Sequence, residues 1–175
     1  PLFIILNYIK NFLPNYKTKK KSKKIENFIY EKFQSVNYYE KWFCNNLYYL
    51  STNFKNSKNV KNILEIGSYE GRSAIFFLKN FSDSNISCVD TWAGSDEHSS
   101  VNFELIEKNF DFNTSSYQSN NTLMKHKMTS NEFFKANHIY FDLIYVDGDH
   151  SSDQVKIDLI NSWNVLKNGG FFSIR

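Results

Sequence analysis

Cysteine is nearly absent from this chain: Cys44 and Cys88 stand far apart, with neither a second pair nor the spacing of metal ligands. That excludes a disulfide framework and a thiolate metal centre, and it fits a reducing compartment, expected to be the cytoplasm. Long apolar runs are missing as well. The opening segment PLFIILNYIKNFLPNY is too short and too interrupted to span a bilayer, and no small-residue cleavage site follows it. It reads as an arm packed on the domain, without stable membrane insertion. Positive charge is concentrated rather than spread: the net charge is +3, and the run KTKKKSKK from Lys17 to Lys24 carries much of it. With no broad basic face and no Asn/Asp-Pro-Pro-Tyr/Phe motif, nucleic acid is not the expected partner.

What is present suffices for one domain. A chain of 175 residues that is 41% hydrophobic buries about two-thirds of its surface around a single core. Residues 1–24 read as an N-terminal arm and lysine-rich linker, and residues 25–175 as the domain. The sequence starts at Pro1 and stops at GGFFSIR, where an apolar strand has just begun, so a fragment is expected at both ends, with the domain truncated at its C-terminus. Helical spacing of Ile25, Phe28, Ile29 and Phe33, and then of Trp42, Phe43, Leu47 and Leu50, predicts two helices ahead of the main fold.

From Val60 onward, strands alternate with helices. KNILEIG, NISCVDTW, NTLMKHKM, FDLIYVDGD and FFSI read as strands. GRSAIFFLKN, VNFELIEKNFD, SNEFFKAN and SSDQVKIDLINSWNVLKNGG read as helices. In the last helix Ser151 and Gln154 have capping-box spacing, Val155, Leu159, Trp163 and Leu166 recur on one face, and Gly169 with Gly170 mark the stop. Phe77, Phe133, Phe141 and Trp163 are expected in the core, and His126 and His138 as structural or solvent-facing. The alternation predicts an α/β fold, a Rossmann-like doubly wound parallel sheet with N-terminal helices.

Only six glycines occur, and Gly67 and Gly71 fall four apart in ILEIGSYEG, between a predicted strand and helix. In such sheets ligands bind beyond the C-terminal strand ends, and a glycine turn lets a ligand lie against the backbone. The close glycines of a dinucleotide G-x-G-x-x-G turn are absent, and so is a P-loop Lys-Ser/Thr pair. An acidic residue ends each of the first two strands instead. Glu65 suits a cationic amino group and Asp90 suits ribose hydroxyls, a pattern that describes a nucleoside carrying an amino acid.

The segments NILEIGSYEGRSAIFFLKN, SCVDTWAGSDEH and FDLIYVDGDHSSDQVKIDLINSWNVLKNGG resemble the class I S-adenosylmethionine-dependent methyltransferases, in the small-molecule O-methyltransferase branch similar to macrocin-type enzymes. The resemblance covers roughly residues 40 to 174. It implies a sheet order of 3-2-1-4-5, with two further family strands missing. It also implies that Glu65, Gly67, Ser68 and Gly71 surround the methionine part of the cofactor, that Asp90 holds the ribose with Thr91 and Trp92 beside it, and that Ser130, with Asn131, lines the adenine. Asp147 falls where relatives ligate Mg²⁺. Asp149 reads equally as a second ligand or as the acid of the following helix turn, and His150 falls at the general-base position. His98 lies in a loop expected over the pocket. The family's further Asp pair, just after the fifth strand, would begin at Arg175, where the sequence ends, so the remaining metal ligands are expected either in an absent C-terminal part or not at all, in a degenerate site.

The implied reaction is transfer of a methyl group from S-adenosylmethionine to a hydroxyl of a small molecule, with a sugar among the acceptors and Mg²⁺ assisting. Such an in-line displacement mostly needs positioning and deprotonation. A hard cation held by carboxylates acidifies the hydroxyl, and an imidazole takes its proton near neutrality. Two other readings stand beside it. One is a noncatalytic cofactor-binding module with a degenerate metal site. The other is an NAD(P)-dependent reductase, disfavoured by the glycine spacing and by the lack of a Tyr-x-x-x-Lys pair.

Overall fold

The computed structural model describes residue 50, residues 59–94 and residues 101–175. The arm, the lysine run, the two helices expected before Val60 (Leu50 excepted) and His98 lie outside the described residues.

Strand β1 (Asn62–Ile66) is followed by α1 (Arg72–Asn80), β2 (Asn85–Asp90), α2 (Phe103–Ser119), β3 (Leu123–Lys127), α3 (Ser130–Ala136), β4 (Phe141–Val146), α4 (Ser152–Val165) and β5 (Leu166–Ile174). The strands form one sheet in the order β3-β2-β1-β4-β5, every neighbouring pair parallel. This is the expected Rossmann-like topology. No described helix is long and apolar enough to cross a membrane.

The central strand explains why its sequence is almost wholly apolar: helices cover both faces of a parallel sheet. Side chains alternate between faces. Leu64 and Ile66 enter a cluster with Val89, Phe133, Phe141, Ile144 and Val146, flanked by Met128, Phe134, Val165 and Leu166. Ile63 and Glu65 point to the opposite face, where Phe77 of α1 meets Tyr145 of β4 edge-on at 5.4 Å. Each fully buried side chain of this size contributes about 1.5–3 kcal/mol.

Four local expectations change. Helix α2 runs on to Ser119, well past Asp111, because Asn113 and Thr114 continue the buried face set by Ile106 and Phe110. Helix α4 is rotated by one residue from the expected orientation, about 100°. Its buried positions are Asp158 and Ser162, while Trp163 is 59% exposed and is not a core residue. The cause is a polar junction with α3: the Gln154 amide donates to the Ser130 hydroxyl at 3.1 Å and to Asp158 at 2.9 Å. Gln154 is therefore turned away from Ser151, whose side chain makes no cap bond. The capping box belongs to α3 instead, between Thr129 and Glu132.

Gly169 and Gly170 do not terminate a helix either. Phe141 pairs with Leu166, and Leu143 with Phe171, so the intervening residues of β5 bulge out of the ladder. Gly169 turns this bulge at φ +79°.

Candidate cofactor and acceptor site

The C-terminal ends of β1, β4 and β5 are stitched into one row. Asp147 N–H donates to the Ile66 carbonyl at 2.8 Å, and Arg175 N–H donates to the Val146 carbonyl at 3.0 Å, while Gly67 N–H donates to Val89 of β2 at 2.8 Å. Gly67, Asp147 and Arg175 thus stand side by side where the sheet ends, as Ile66, Val146 and Ile174 do one residue earlier.

Gly67 has φ +84°, and a Cβ there would lie 2.1 Å from the Asp147 carbonyl oxygen and 2.6 Å from the Gly148 Cα. The first glycine is therefore required by the chain's own backbone. Gly71, at φ +79°, meets a side chain: its Cβ would lie 2.7 Å from Thr114 Cγ2. The expectation of a ligand lying against these glycines did not anticipate either neighbour.

Between the glycines the loop is held from Asp90. Its carboxylate accepts the Tyr69 N–H at 2.9 Å and the Trp92 N–H at 2.8 Å, while the Trp92 indole N–H donates to the Tyr69 carbonyl at 2.8 Å. Tyr69 and Trp92 both have φ +47°, a costly conformation for side-chain-bearing residues that these bonds hold in place. Burial raises the Asp90 pKa, and the backbone N–H donors oppose the rise. The Ser68 and Thr91 backbone N–H groups face the same carboxylate. Thr91 is half-buried, its hydroxyl accepting the Ala93 N–H. Trp92 is buried against Phe110, with Lys125 Nζ 4.7 Å above its ring. It fixes the loop from behind.

Glu65 has no exposed surface. In sheet register it lies between Cys88 and Tyr145, and Ser68, Ser73 and Cys88 face its carboxylate. Neither carboxylate oxygen completes a hydrogen bond of full geometry with the described residues, and neither does the Ser68 hydroxyl. Burial pushes Glu65 up to about 7, against those weak donors and with help from the Asp147 charge. A buried carboxylate without partners is costly. An ammonium group placed there would remove the cost.

Asp147, at the head of β4, has two neighbours on Oδ2, while its buried Oδ1 has no hydrogen-bond partner among the described residues. The Tyr145 hydroxyl donates to Oδ2 at 3.1 Å, Arg175 Nη1 lies 3.3 Å from the same oxygen, and His150 Nε2 lies 3.8 Å from Oδ1. Burial raises its pKa, and Arg175 is the largest opposing influence. His150 is exposed. Asp149 is exposed too, and its Oδ1 accepts the Ser151 N–H at 2.8 Å, in the turn that leads into α4.

This donor set does not fit a divalent cation. Arg175 faces Asp147 Oδ2 and one oxygen of Asp149 accepts the Ser151 N–H; among the described residues Asp147 Oδ1 is buried without a hydrogen-bond partner, but no group of three His, Cys, Asp or Glu converges on one point. Ser130 is also partly committed, since its hydroxyl lies in the Gln154–Asp158 network; Asn131 touches the same glutamine at 3.4 Å. Tyr145 and Arg175 were not foreseen as site residues. Tyr145 was legible in principle, because a residue two before Asp147 on a strand shares its face.

Comparison with known proteins agrees with this picture. Residues 64–174 match the family model described as a methyltransferase domain. A comparison with curated proteins gives no match. Among solved structures, a Staphylococcus aureus protein assigned as a caffeoyl-CoA O-methyltransferase is 20% identical with a TM-score of 0.57, over 98% of this chain and 70% of that one. The O-methyltransferase TomG from Streptomyces achromogenes, in complex with SAM, is 11% identical with a TM-score of 0.55, over 97% and 69%. The SAH-bound methyltransferase PaMTH1 of Podospora anserina is 17% identical with a TM-score of 0.54, over 97% and 66%.

Proposed function

Because the chain belongs to the methyltransferase domain family, acting with S-adenosylmethionine on a small molecule, we propose that the acceptor atom is a hydroxyl oxygen, with sugars among the candidate acceptors. The observation that carries the site assignment is Glu65. A fully buried carboxylate whose oxygens lack full hydrogen bonds to the described residues, beside the Gly67 turn, calls for a cation.

When bound, S-adenosylmethionine supplies an activated methyl group on a sulfonium. The residues of the chain do the rest. Glu65 accepts the ammonium of the methionine part, with Gly67, Ser68 and Gly71 shaping the turn around it. Asp90 accepts from the ribose hydroxyls while keeping Tyr69 and Trp92 in place. Ser130 and Asn131 border the adenine. His150 takes the proton from the acceptor hydroxyl, with the Asp147 carboxylate 3.8 Å from its Nε2. No step is assigned to Mg²⁺, because the donor set does not fit it.

Calorimetric titration of S-adenosylmethionine into the full chain, with NADPH as control ligand, tests the reading. Saturable binding is expected, weakened at least about tenfold by Asp90→Ala, or 1.4 kcal/mol. Transfer of labelled methyl to members of a hydroxyl-compound panel should accompany it. Binding of NADPH instead, or of neither ligand by folded protein, would overturn the assignment. Cofactor binding without transfer to any acceptor would point to a noncatalytic module.

A further inference from the structure

Arg175 stands at the position where the resemblance to metal-dependent relatives calls for an acidic residue. Its backbone continues the β5 ladder through the Val146 carbonyl, which puts the side chain on the same sheet face as Asp147 and Tyr145. The guanidinium lies 3.3 Å from Asp147 Oδ2. The acid that would bind a divalent cation is therefore paired with a cation of the chain. A metal approaching Asp147 would meet this like charge within a few ångströms, and one oxygen of Asp149 is engaged by the Ser151 N–H just ahead of α4.

We propose that Arg175 takes the place of the divalent cation: held by Asp147, its guanidinium positions the acceptor oxygen, and methyl transfer proceeds without metal. This rests on the methyltransferase reading above. A guanidinium has five N–H donors in a planar fork. One is directed at Asp147, and the side chain is about a third exposed, so the fork has donors left for an acceptor oxygen. The ionised head is the right chemistry for an oxygen that gains negative charge as His150 removes its proton, since charge-assisted hydrogen bonds are stronger than neutral ones. Tyr145, on the other side of Oδ2, keeps Asp147 in the orientation that holds the fork.

The test uses the full chain stripped with EDTA, as wild type, Arg175→Lys and Arg175→Ala. Mn²⁺ titration followed by electron paramagnetic resonance reads metal binding without needing an acceptor. Calorimetry with S-adenosylmethionine reads the cofactor half separately. The expected results are no stoichiometric Mn²⁺ binding by the wild type and equal cofactor affinity in all three proteins. Methyl transfer in EDTA should equal that in Mg²⁺, and Arg175→Ala should lower kcat/KM for the acceptor roughly hundredfold, with partial recovery in Arg175→Lys. Stoichiometric Mn²⁺ binding by the wild type, transfer that stops in EDTA and returns with Mg²⁺, or full kcat/KM in Arg175→Ala would each overturn the proposal. Failure of the wild type to bind S-adenosylmethionine would instead sink the methyltransferase assignment, and the Mn²⁺ result would still decide the role of Arg175 at Asp147.

Discussion

Gly67 and Asp147 touch through their backbones: any Cβ on the glycine would lie 2.1 Å from the Asp147 carbonyl oxygen. The turn that opens the cofactor site is thus moulded by the end of β4, and its glycine is a packing requirement before it is a binding one. Backbone cannot swing aside as a side chain tip can.

Gly67→Ala should therefore destabilise the fold by at least about 2 kcal/mol, from the left-handed dihedral and the collision together. Gly71→Ala is a milder case, since its Cβ would meet Thr114 Cγ2 at 2.7 Å. Thr114→Ser deletes that methyl and keeps the hydroxyl bonded to Phe110 and Gln118. Adding it should recover part of the loss at Gly71 and none at Gly67. Urea denaturation of the four proteins checks this, and equal rescue at both sites would contradict the geometry.

Glu65 should make stability fall with rising pH. An ordinary glutamate releases its proton near 4.5, whereas burial moves Glu65 to about 7. Between those values the folded chain keeps a proton that the unfolded chain has lost. The contribution is full below pH 4.5, is lost as pH rises through 7, and corresponds to about 3 kcal/mol. Glu65→Gln should remove this slope and stabilise the ligand-free protein above neutrality. In the wild type, S-adenosylmethionine should bind more tightly above pH 7 than below it, because its ammonium pairs with the ionised carboxylate. A Glu65→Gln protein with the wild-type slope would refute the assignment.

Trp163 and Phe133 reverse the weight that their sequence positions suggest. Phe133 is buried and Trp163 is 59% exposed. Phe133→Ala should cost about 3–5 kcal/mol, and Trp163→Ser should stay within about 0.5 kcal/mol. Acrylamide should quench the Trp163 emission readily, measured against a Trp163→Phe control. A large loss at Trp163 would mean that this helix face is covered.

The parts of the fold that were legible are those set by periodicity. The alternation of apolar strands and helices from Val60 onward was enough to give a parallel, doubly wound sheet, and the family resemblance supplied the strand order that the structure shows. The orientation of α4 was hidden, because Asp158 and Ser162 look like solvent residues until Gln154 and Ser130 are seen beside them. The capping box of α3 was readable from Thr129 and Glu132. The neighbours of Asp147 were not, because Tyr145 and Arg175 belong to the site only through strand register, and register between distant segments leaves no local trace.

That register also sets an order in time. Ile63 is paired with Ile86 on one side and with Leu143 on the other, and Leu143 in turn with Phe171. Closing loops of such length is entropically demanding and slow. A chain emerging from the ribosome presents Glu65, Gly67 and Asp90 well before Asp147 exists to press against the glycine. Asp90 and Val89 can shape the turn first, and Gly67 meets its backbone neighbour at Asp147 only when β4 docks. A ligand that binds only the completed sheet edge would stabilise the assembled state over the partly assembled one.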